Sequence, residues 1–336
     1  MRGLKDKFRF LFFPVALFYW GLSFWRNLFY VTGFFVSHRL PVPVVSVGNI
    51  TLGGTGKTPT VVTVAHMLQK LGKHPAVISR GYMRETTGTV VVSKGEKVLV
   101  PWNEAGDEAL LISQRLPSVP VIVDEVRYRG AILAVEHFDC DVIVLDDAFQ
   151  HRAIERDLDI VLINSCEPPE HYKMIPYGRL REPIWSLKRA DLVIWSRADQ
   201  SQPAPVIKKW VYQRSMKSLK SRLSAGNIEN LKDLKLFAYC GIGDPQSFLF
   251  LLNQLNLKVI EFQPFPDHYV YKEAEILRLK TKAKSLGAAH LVTTEKDWVK
   301  LTEDEREEGF ICFVPVDTVF LNGGETVLEE TLKKLF

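Results

Sequence analysis

The stretch VVSVGNITLGGTGKTPTVVTVAHMLQK, residues 44–70, decides the fold. It opens with a β-branched run, passes through a glycine-rich turn, and ends in a segment whose apolar residues recur every three or four positions. This order predicts a buried strand, a phosphate-binding loop and an amphipathic helix. Backbone N–H groups of such a loop surround phosphate oxygens, and the helix N-terminus favours negative charge.

The loop matches the P-loop pattern GxxxxGK[ST] with one departure, because Thr51 stands where the pattern has glycine. The remaining glycines still permit the turn, while Lys57 supplies a cation and the Thr58 hydroxyl a ligand for Mg²⁺. The predicted nucleotide-binding residues are Leu52, Gly53, Gly54, Thr55, Gly56, Lys57 and Thr58. A glycine-rich turn with an incidental lysine is the alternative interpretation.

A second signal follows another apolar run, where Val142–Leu145 leads directly into Asp146 and Asp147. In open α/β sheets, ligands bind at the carboxyl ends of the strands. We therefore expect both carboxylates to face the nucleotide phosphates and to hold Mg²⁺ or its waters. A polar loop that happens to follow a strand is the alternative.

Outward from these stretches, short β-branched runs alternate with helical patterns, which is typical of a mostly parallel sheet covered on both faces. The runs are residues 44–47, 76–79, 121–123, 141–146, 159–163 and 191–195, with a second alternation at 235–243, 257–262, 288–294 and 310–316. Residues 89–101 predict a β-hairpin turning at Lys94-Gly95, and residues 202–223 predict a basic helix.

The predicted fold class is therefore α/β, with a P-loop NTPase-like, mostly parallel sheet flanked by helices. A second, smaller α/β domain and an N-terminal membrane-associated helix complete the expectation. The predicted boundaries are residues 1–40 for the aromatic and basic helix, 41–215 for the P-loop domain and 216–336 for the C-terminal domain, which contributes to the active-site cleft.

The positive charge of the chain belongs to its N-terminus. Residues 1–40 hold six Lys or Arg against one acid, whereas the remainder holds 37 basic and 38 acidic residues. The body of the protein therefore lacks the basic field that nucleic-acid binding requires.

Residues 1–40 also hold 13 of the 37 aromatic residues, a density typical of a bilayer interface. The unbroken apolar run, residues 10–25, has 16 residues, fewer than the roughly 18 to 20 of a spanning helix. We expect a helix that lies in or dips into one leaflet. A cleaved signal peptide and an aromatic helix packed on the core are the alternatives.

The four cysteines are widely spaced without a CxxC pair, and the eight histidines are scattered. Neither a zinc site nor a disulfide framework is indicated. We expect reduced cysteines in a cytosolic protein.

Taken together, the motifs closely resemble those of the tetraacyldisaccharide 4′-kinases, and the resemblance runs nearly end to end. Besides the aromatic N-terminus and the P-loop, it is carried by SRGY (79–82), GDE (106–108), DDAFQHR (146–152), DLDI (157–160), PYGRLREP (176–183), CGIGDP (240–245), FPDHY (265–269) and TTEKDWVKL (293–301). One departure is Ala109, where family members commonly have proline.

This resemblance implies a kinase that uses ATP and Mg²⁺ to phosphorylate the 4′-hydroxyl of tetraacyldisaccharide 1-phosphate, giving lipid IVA in lipid A synthesis. It implies a peripheral or monotopic enzyme at the cytoplasmic face of the inner membrane of a Gram-negative bacterium. The expected partners are the lipid substrate and the membrane surface, with no nucleic acid and no obligate protein partner.

The resemblance also implies roles for individual residues. Asp107 is the expected base, working with His268, and Arg127 is expected to bind the transferring phosphate. Glu108 joins Thr58, Asp146 and Asp147 as a candidate metal residue. The residues predicted to contact the substrate are Arg80, Tyr82, Gln150, Arg179, Arg181 and Glu182. For the arginines a surface position, and for the two glutamates a helix-surface salt bridge, are the alternatives.

Two other function classes fit part of this pattern. A P-loop ATPase or GTPase cycling on a membrane surface would share the loop, the acidic strand end and the anchor. A GTPase should also carry [NT]KxD, and residues 294–297 have the wrong order. A non-catalytic membrane scaffold would need neither Lys57 nor the Asp107-Glu108 pair.

Overall fold

The computed structural model describes residues 12–336. Its strands are β1 (Val44–Asn49), β2 (Pro75–Ser79), β3 (Val90–Lys94), β4 (Pro120–Val123), β5 (Val142–Asp146), β6 (Leu158–Asn164), β7 (Leu192–Ser196), β8 (Ser218–Ala225), β9 (Lys235–Cys240), β10 (Lys258–Pro264), β11 (His290–Thr294), β12 (Ile311–Val314) and β13 (Val316–Leu321). Its α-helices are α1 (Phe13–Val31), α2 (Lys57–Lys70), α3 (Trp102–Ala105), α4 (Asp107–Arg115), α5 (Arg127–His137), α6 (Pro205–Tyr212), α7 (Pro245–Gln254), α8 (Glu273–Ser285), α9 (Glu295–Trp298), α10 (Glu303–Glu307) and α11 (Gly324–Lys333). Short 3₁₀ turns occupy Pro169–His171, Ile184–Arg189 and Glu229–Leu231.

The larger sheet has the strand order β13-β8-β7-β6-β1-β5-β2-β4-β3. Its interior strands are parallel, and its two edges are antiparallel pairs, β13 with β8 and β3 with β4. Strands β1, β2, β4, β5, β6 and β7 are buried along their whole length, which is why they read as continuous apolar runs. The predicted mostly parallel α/β sheet is confirmed.

Strand β1 lies at the centre of this sheet, between β5 and β6. Val47 of β1 is in register with Asp146 of β5, and Asn49 with Leu162 of β6. The phosphate loop and the acidic strand end therefore emerge side by side at the carboxyl edge. Helix α2 continues from the loop and buries Val61, Val64, Ala65 and Leu68 against the sheet.

The smaller sheet has the order β10-β9-β11-β12, and its strands are parallel. Its residues fall between β8 and β13, which pair with each other in the larger sheet from Val316 with Ala225 to Leu321 with Lys220. Arg115 of α4 links the two sheets, since it pairs with Glu295 of α9 at 2.9 Å and with Asp317 of β13.

The sheets divide the chain differently from the predicted boundary at residue 215. Residues 218–225 and 316–321 are strands of the larger sheet, so the smaller sheet is an insertion rather than a C-terminal tail. The predicted basic helix over residues 202–223 was wrong in its second half. Leu219 and Ser221 of β8 are buried and alternate with more exposed neighbours, the period of a strand.

The predicted hairpin over residues 89–101 also differs from the structure. Its first arm is β3, whereas the second arm contributes only an isolated bridge between Ser93 and Val98. The register partner of β3 is instead β4. All four cysteines are free, as expected.

Helix α1 packs on the protein along one narrow stripe, whose buried residues are Ala16 and Ser23. Between them, the Tyr19 hydroxyl donates to the Arg181 carbonyl oxygen at 3.1 Å. The rest of the helix presents large apolar side chains to solvent, including Phe18 at 69% and Trp25 at 55% exposure. No helix within residues 12–336 combines the length and the hydropathy needed to cross a bilayer.

Candidate active site

The phosphate loop connects β1 to α2 and contains two glycines with positive φ, Gly53 at 113° and Gly56 at 84°. Only glycine adopts such angles at little cost, so these positions allow the backbone to curl around an anion. Asn49 closes the base of the loop by donating from Nδ2 to Oγ1 of the buried Thr55 at 3.1 Å. Leu52 is tied through its N–H to the Arg179 carbonyl oxygen at 2.7 Å.

Lys57 is the first residue of α2, and Thr58 follows it in the first turn. No side chain of the described residues caps this N-terminus, so its N–H groups remain available for phosphate oxygens. Together with Gly54, these residues complete the predicted nucleotide-binding set in one continuous loop. The predicted strand, loop and helix are thus formed by the residues that the sequence indicated.

Asp146 ends β5 beside this loop and is almost completely buried. Its Oδ2 accepts a hydrogen bond from the Ser79 hydroxyl at 3.0 Å, whereas its Oδ1 is buried without a partner among the described residues. Burial, and then the nearby charges of Glu108 and Asp147, raise the pKa of Asp146 above its ordinary value. A buried carboxylate oxygen of this kind requires a cation or a donor.

The carboxylate of Asp147 faces two cations, Arg181 and Lys57. Arg181 Nη1 donates to both of its oxygens at 2.8 Å, and Lys57 Nζ lies 3.8 Å from Oδ1. Burial raises the pKa of Asp147, but Lys57 and Arg181 outweigh it and lower the value to about 2. Asp147 therefore remains ionised and holds Lys57 at the mouth of the loop.

These residues fit Mg²⁺ in the manner of nucleotide sites, where few protein oxygens bind the ion and the phosphates supply the rest. No group of three or more His, Cys, Asp or Glu side chains within residues 12–336 could hold a metal unaided. The orphaned Asp146 Oδ1 and the Thr58 hydroxyl are the groups that would hold it. When bound, Mg²⁺ would neutralise charge on the triphosphate.

The two predicted catalytic residues, far apart in the chain, meet at the cleft between the sheets. His268 Nδ1 lies 2.9 Å from Oδ2 of Asp107. Asp107 begins α4 and is 3% exposed, while its Oδ1 accepts from the Glu108 N–H at 2.8 Å. His268 has a φ of 56°, a left-handed conformation in which its N–H donates to the Gly241 carbonyl oxygen at 3.0 Å.

Two lysines of the TTEKDWVKL segment surround this pair. Lys296 Nζ lies 3.0 Å from Glu108 Oε1 and 3.2 Å from His268 Nε2, and Lys300 Nζ lies 3.6 Å from Asp107 Oδ2. Burial raises the pKa of Asp107, but the hydrogen bond from His268 and the charges of the lysines outweigh it and lower the pKa. Asp107 is therefore a carboxylate at neutral pH.

Arg127 and its surroundings form a cationic cluster beside the acidic strand end. The Arg127 Nη2 donates to the carbonyl oxygens of Asp146 and Asp147, each at 3.0 Å. Burial, and then the charges of Arg127, Arg156 and Arg80, lower the pKa of His151 to about 4. His151 is therefore neutral at physiological pH, and its buried Nε2 has no partner among the described residues.

The predicted substrate residues are distributed around this region. The Tyr82 ring is 55% exposed and stands 4.9 Å from the His268 ring, centroid to centroid, and Arg80 is also exposed. Gln150 instead donates to the Asn49 carbonyl oxygen at 2.7 Å. Arg179 lies against the phosphate loop. A Cβ atom added to Gly53 would stand 3.4 Å from Nη1 of the Arg179 guanidinium.

Both glutamates form ion pairs, but only Glu108 lies on a helix, as the helix-surface alternative supposed. Glu182 is completely buried between Arg26 of α1 and Arg189, whose Nη2 lies 2.6 Å from it. This position favours a structural role over the predicted substrate contact. Glu108 pairs with Lys296, and its charge is close enough to Asp146 to raise the pKa of that carboxyl group.

The sequence did not point to three residues that contribute contacts to this site. Ser79, His151 and Lys296 all belong to motifs quoted above, in SRGY, DDAFQHR and TTEKDWVKL, yet none was given a role. Their positions inside those motifs were the available signal. What each side chain touches depends on contacts between distant segments.

The sequence model of the family described as tetraacyldisaccharide-1-P 4′-kinase matches residues 8–336. This chain belongs to the tetraacyldisaccharide 4′-kinase family. Proteins of that name from Chlorobaculum parvum and Chlorobium limicola are 38% and 35% identical to it, and each alignment covers at least 95% of both chains.

The kinase fold is also that of a solved relative. The LpxK of Aquifex aeolicus, whose crystal structure was determined in complex with ATP, matches with a TM-score of 0.79 and 31% identity. The match covers 98% of this chain and 99% of that chain. The predicted family, fold class and enzyme class, a kinase, are confirmed.

Proposed function

We propose that this kinase transfers the γ-phosphoryl group of ATP to the 4′-hydroxyl of tetraacyldisaccharide 1-phosphate, giving lipid IVA in lipid A synthesis. The observation that carries the proposal is that the Asp107–His268 pair lies beside the loop and the acidic strand end, since Glu108 donates its N–H to Asp107 while its charge acts on Asp146. Phosphoryl transfer needs neutralisation of the triphosphate, an oriented acceptor and a destination for the acceptor's proton. The cleft contains a group for each.

The donor side is the phosphate loop and its neighbours. Lys57 and the N–H groups at the start of α2 neutralise and orient the phosphates, and Asp147 holds the Lys57 side chain in place. These groups are fixed before the reaction, so little reorganisation is needed as charge develops. ATP with Mg²⁺ is the donor that the family resemblance implied.

The acceptor side favours His268 as the base, with Asp107 orienting it, which reverses the division of roles expected from the sequence. Both oxygens of Asp107 already accept hydrogen bonds, and its pKa is lowered. The hydroxyl proton moves to Nε2 of His268 while the hydroxyl oxygen bonds to the γ-phosphorus. The bond from that phosphorus to the β,γ-bridging oxygen then breaks, and ADP leaves.

The cationic cluster gives the anionic end of the lipid a place to bind. Arg80, Arg127 and the neutral His151 lie near one another beside the acidic strand end. Guanidinium groups bind phosphate oxygens bidentately, and a buried imidazole without a partner can donate one further hydrogen bond. The 1-phosphate of the substrate would add acceptor oxygens to the carbonyl oxygens that Arg127 already contacts, a role that differs from the binding of the transferring phosphate expected from the resemblance.

We further propose that the enzyme works at the cytoplasmic face of the inner membrane, held by α1. The helix exposes Phe18, Leu22 and Trp25 to solvent while its opposite stripe contacts residues 181–185. That segment includes Arg181, which holds Asp147. A lipid entering along α1 would therefore reach the site without leaving the bilayer.

Transfer of label tests the proposal directly. The purified full-length protein is incubated with γ-labelled ATP, Mg²⁺ and tetraacyldisaccharide 1-phosphate in detergent micelles, and the label is located. We expect it on the lipid, with transfer by Lys57→Ala lower by about a hundredfold or more. Label that appears only as inorganic phosphate would contradict the proposal and indicate a membrane-surface ATPase. A matched lipid without a free 4′-hydroxyl should accept no label.

A further inference from the structure

The lysine that contacts His268 has no role in the reaction described so far. Lys296 is the second residue of α9, in the inserted segment between β8 and β13 that forms the smaller sheet's unit. Its side chain is 18% exposed. Its Nζ is 3.0 Å from Glu108 Oε1, 3.2 Å from His268 Nε2 and 3.9 Å from Asp107 Oδ2. An ammonium group has three N–H donors and no acceptor, so these three neighbours face it as acceptors or as opposite charges.

These contacts define which ring nitrogen of His268 carries the proton. An ionised Asp107 only accepts, so Nδ1 must donate to it. An ammonium only donates, so Nε2 must accept from Lys296. The donor and acceptor geometry thus places the ring proton on Nδ1, and a second proton on Nε2 would place two donors against each other.

We infer that Lys296 is a positioning residue of phosphoryl transfer, which holds Nε2 of His268 unprotonated and in place until the acceptor hydroxyl replaces it. The inference rests on the proposed function. Glu108 anchors the ammonium on one side, so Lys296 can release Nε2 without leaving the cleft. A hydroxyl arriving at Nε2 then meets a free lone pair on a ring that Asp107 already orients.

The groups that face the imidazole act in both directions on a proton at Nε2. Asp107 from α4 faces Nδ1, and Lys296 from α9 faces Nε2. Asp267 from the histidine's own loop lies 3.9 Å from Nε2, and the Tyr82 ring packs edge-on. Within the described residues, Lys296 opposes a proton on Nε2, whereas Asp267 favours one.

The test uses Lys296→Met, which keeps the length and volume of the side chain and removes its charge and donors. We expect kcat at pH 7 to fall by about tenfold or more, less than the 10² to 10⁴ expected for loss of the base itself. The acid limb of the kcat profile should move to higher pH, since Nε2 is then free to hold a proton. The KM for ATP should be nearly unchanged.

A second readout does not depend on lipid or turnover. In protein labelled with ¹⁵N-histidine, the ring nitrogens of His268 are assigned by comparison with His268→Gln. We expect Nδ1 alone to be protonated in the wild type at pH 7, and a fraction of Nε2 to become protonated in Lys296→Met. Because this experiment needs no substrate, its result is independent of label transfer to lipid. The inference about Lys296 can therefore be contradicted while the proposed function is supported, or the proposed function contradicted while the expected spectrum is seen.

Control variants separate positioning from general stability. Lys282→Met removes an exposed ammonium paired with Glu261 in the same unit and should change neither readout. Lys296→Arg keeps a cationic donor and should keep the wild-type acid limb. If Lys296→Met does not fold, Lys296→Gln replaces it in both experiments.

The inference would be overturned by an acid limb and ring-nitrogen spectrum that match the wild type. It would also be overturned by a large increase in the KM for ATP with an unchanged spectrum, since Lys296 would then bind nucleotide instead. In the His268→Gln background, Lys296→Met should cost little further activity. A fully multiplicative loss there would mean that the lysine acts independently of the histidine.

Discussion

His268 Nδ1 and Asp107 Oδ2 are 2.9 Å apart, although 161 residues separate them in the chain. The contact joins a loop of the smaller sheet's unit to the first residue of α4, which packs on the larger sheet. The pair forms only when the two segments lie as they do in this structure. Arg115 reinforces this form from the other end of α4, through its ion pairs to Glu295 and Asp317.

Loss of the loop lysine should remove activity without affecting the fold. Lys57→Ala deletes a charge whose effect is greatest in the transition state, so we expect turnover to fall by about a hundredfold or more. Thermal unfolding should be unchanged, because the side chain lies at a helix N-terminus beside Asp147 rather than in the core. Lys70→Ala, at the other end of the same helix, is the control and should remain active. Turnover near the wild-type rate in Lys57→Ala would refute this role.

The orphaned carboxylate oxygen predicts a change in metal dependence. Asp146→Ala removes Oδ1, and we expect lower turnover together with a higher Mg²⁺ concentration for half-maximal rate. Titration of activity with Mg²⁺ at fixed ATP measures both. Ser79→Ala, which removes only the hydrogen bond to Oδ2, should change the Mg²⁺ requirement less. An unaltered requirement in Asp146→Ala would remove this residue from the metal site.

The Asp107–His268 pair should behave as one unit. Each single substitution to alanine is expected to lower turnover by roughly 10² to 10⁴, the usual range for a general acid or base. Because the two side chains serve one proton transfer, the double variant should be little worse than the poorer single variant. Steady-state kinetics of all three proteins from pH 5 to 9 measure this. Losses that multiply would show that the two residues act separately.

Asp124 allows a test of pH-dependent stability away from the catalytic groups. Burial raises its pKa, but hydrogen bonds from Arg129, Thr89 and the Val126 N–H outweigh it and lower the pKa. A lowered folded-state pKa contributes stability above the unfolded value, which is lost as pH falls through the folded value. Asp124→Asn should therefore melt a few degrees lower at pH 7, a difference that shrinks below about pH 3.9. Equal differences in melting temperature at pH 7 and pH 3 would contradict this.

The exposed face of α1 should control membrane binding. Phe18→Glu with Trp25→Glu places charge on two solvent-facing positions, so we expect the protein to dissociate from vesicles containing anionic lipid without loss of thermal stability. High salt alone should release the wild type only in part, because apolar burial persists when charges are screened. Vesicle sedimentation measures both effects.

A conservative control for the same helix is Tyr19→Phe, which removes only the hydrogen bond to Arg181 on the docked stripe and should leave vesicle binding intact. Deletion of residues 1–40 is a less specific test than these substitutions. It would also remove Arg26, a partner of the buried Glu182. If the charged double variant binds vesicles like the wild type, another surface is the anchor.

The sequence alone determined those parts of the site that are built from neighbouring residues. The phosphate loop, the helix after it and the acidic end of β5 are each encoded within a few consecutive residues, since glycine conformations and apolar periodicity act over short range. The parallel sheet followed from the same kind of evidence, because strands buried on both faces must be continuously apolar. Those predictions required no knowledge of which segments touch.

Tertiary structure alone decided how those parts combine. Strand β8 was read as the end of a basic helix because its alternation is short and its partner, β13, lies far along the chain. The contacts of His268 with Lys296 and with Asp107 depend on side chains that distant segments of the chain bring together. Hydrogen bonding and charge act over a few ångströms in space, and spacing along the chain carries no measure of that distance.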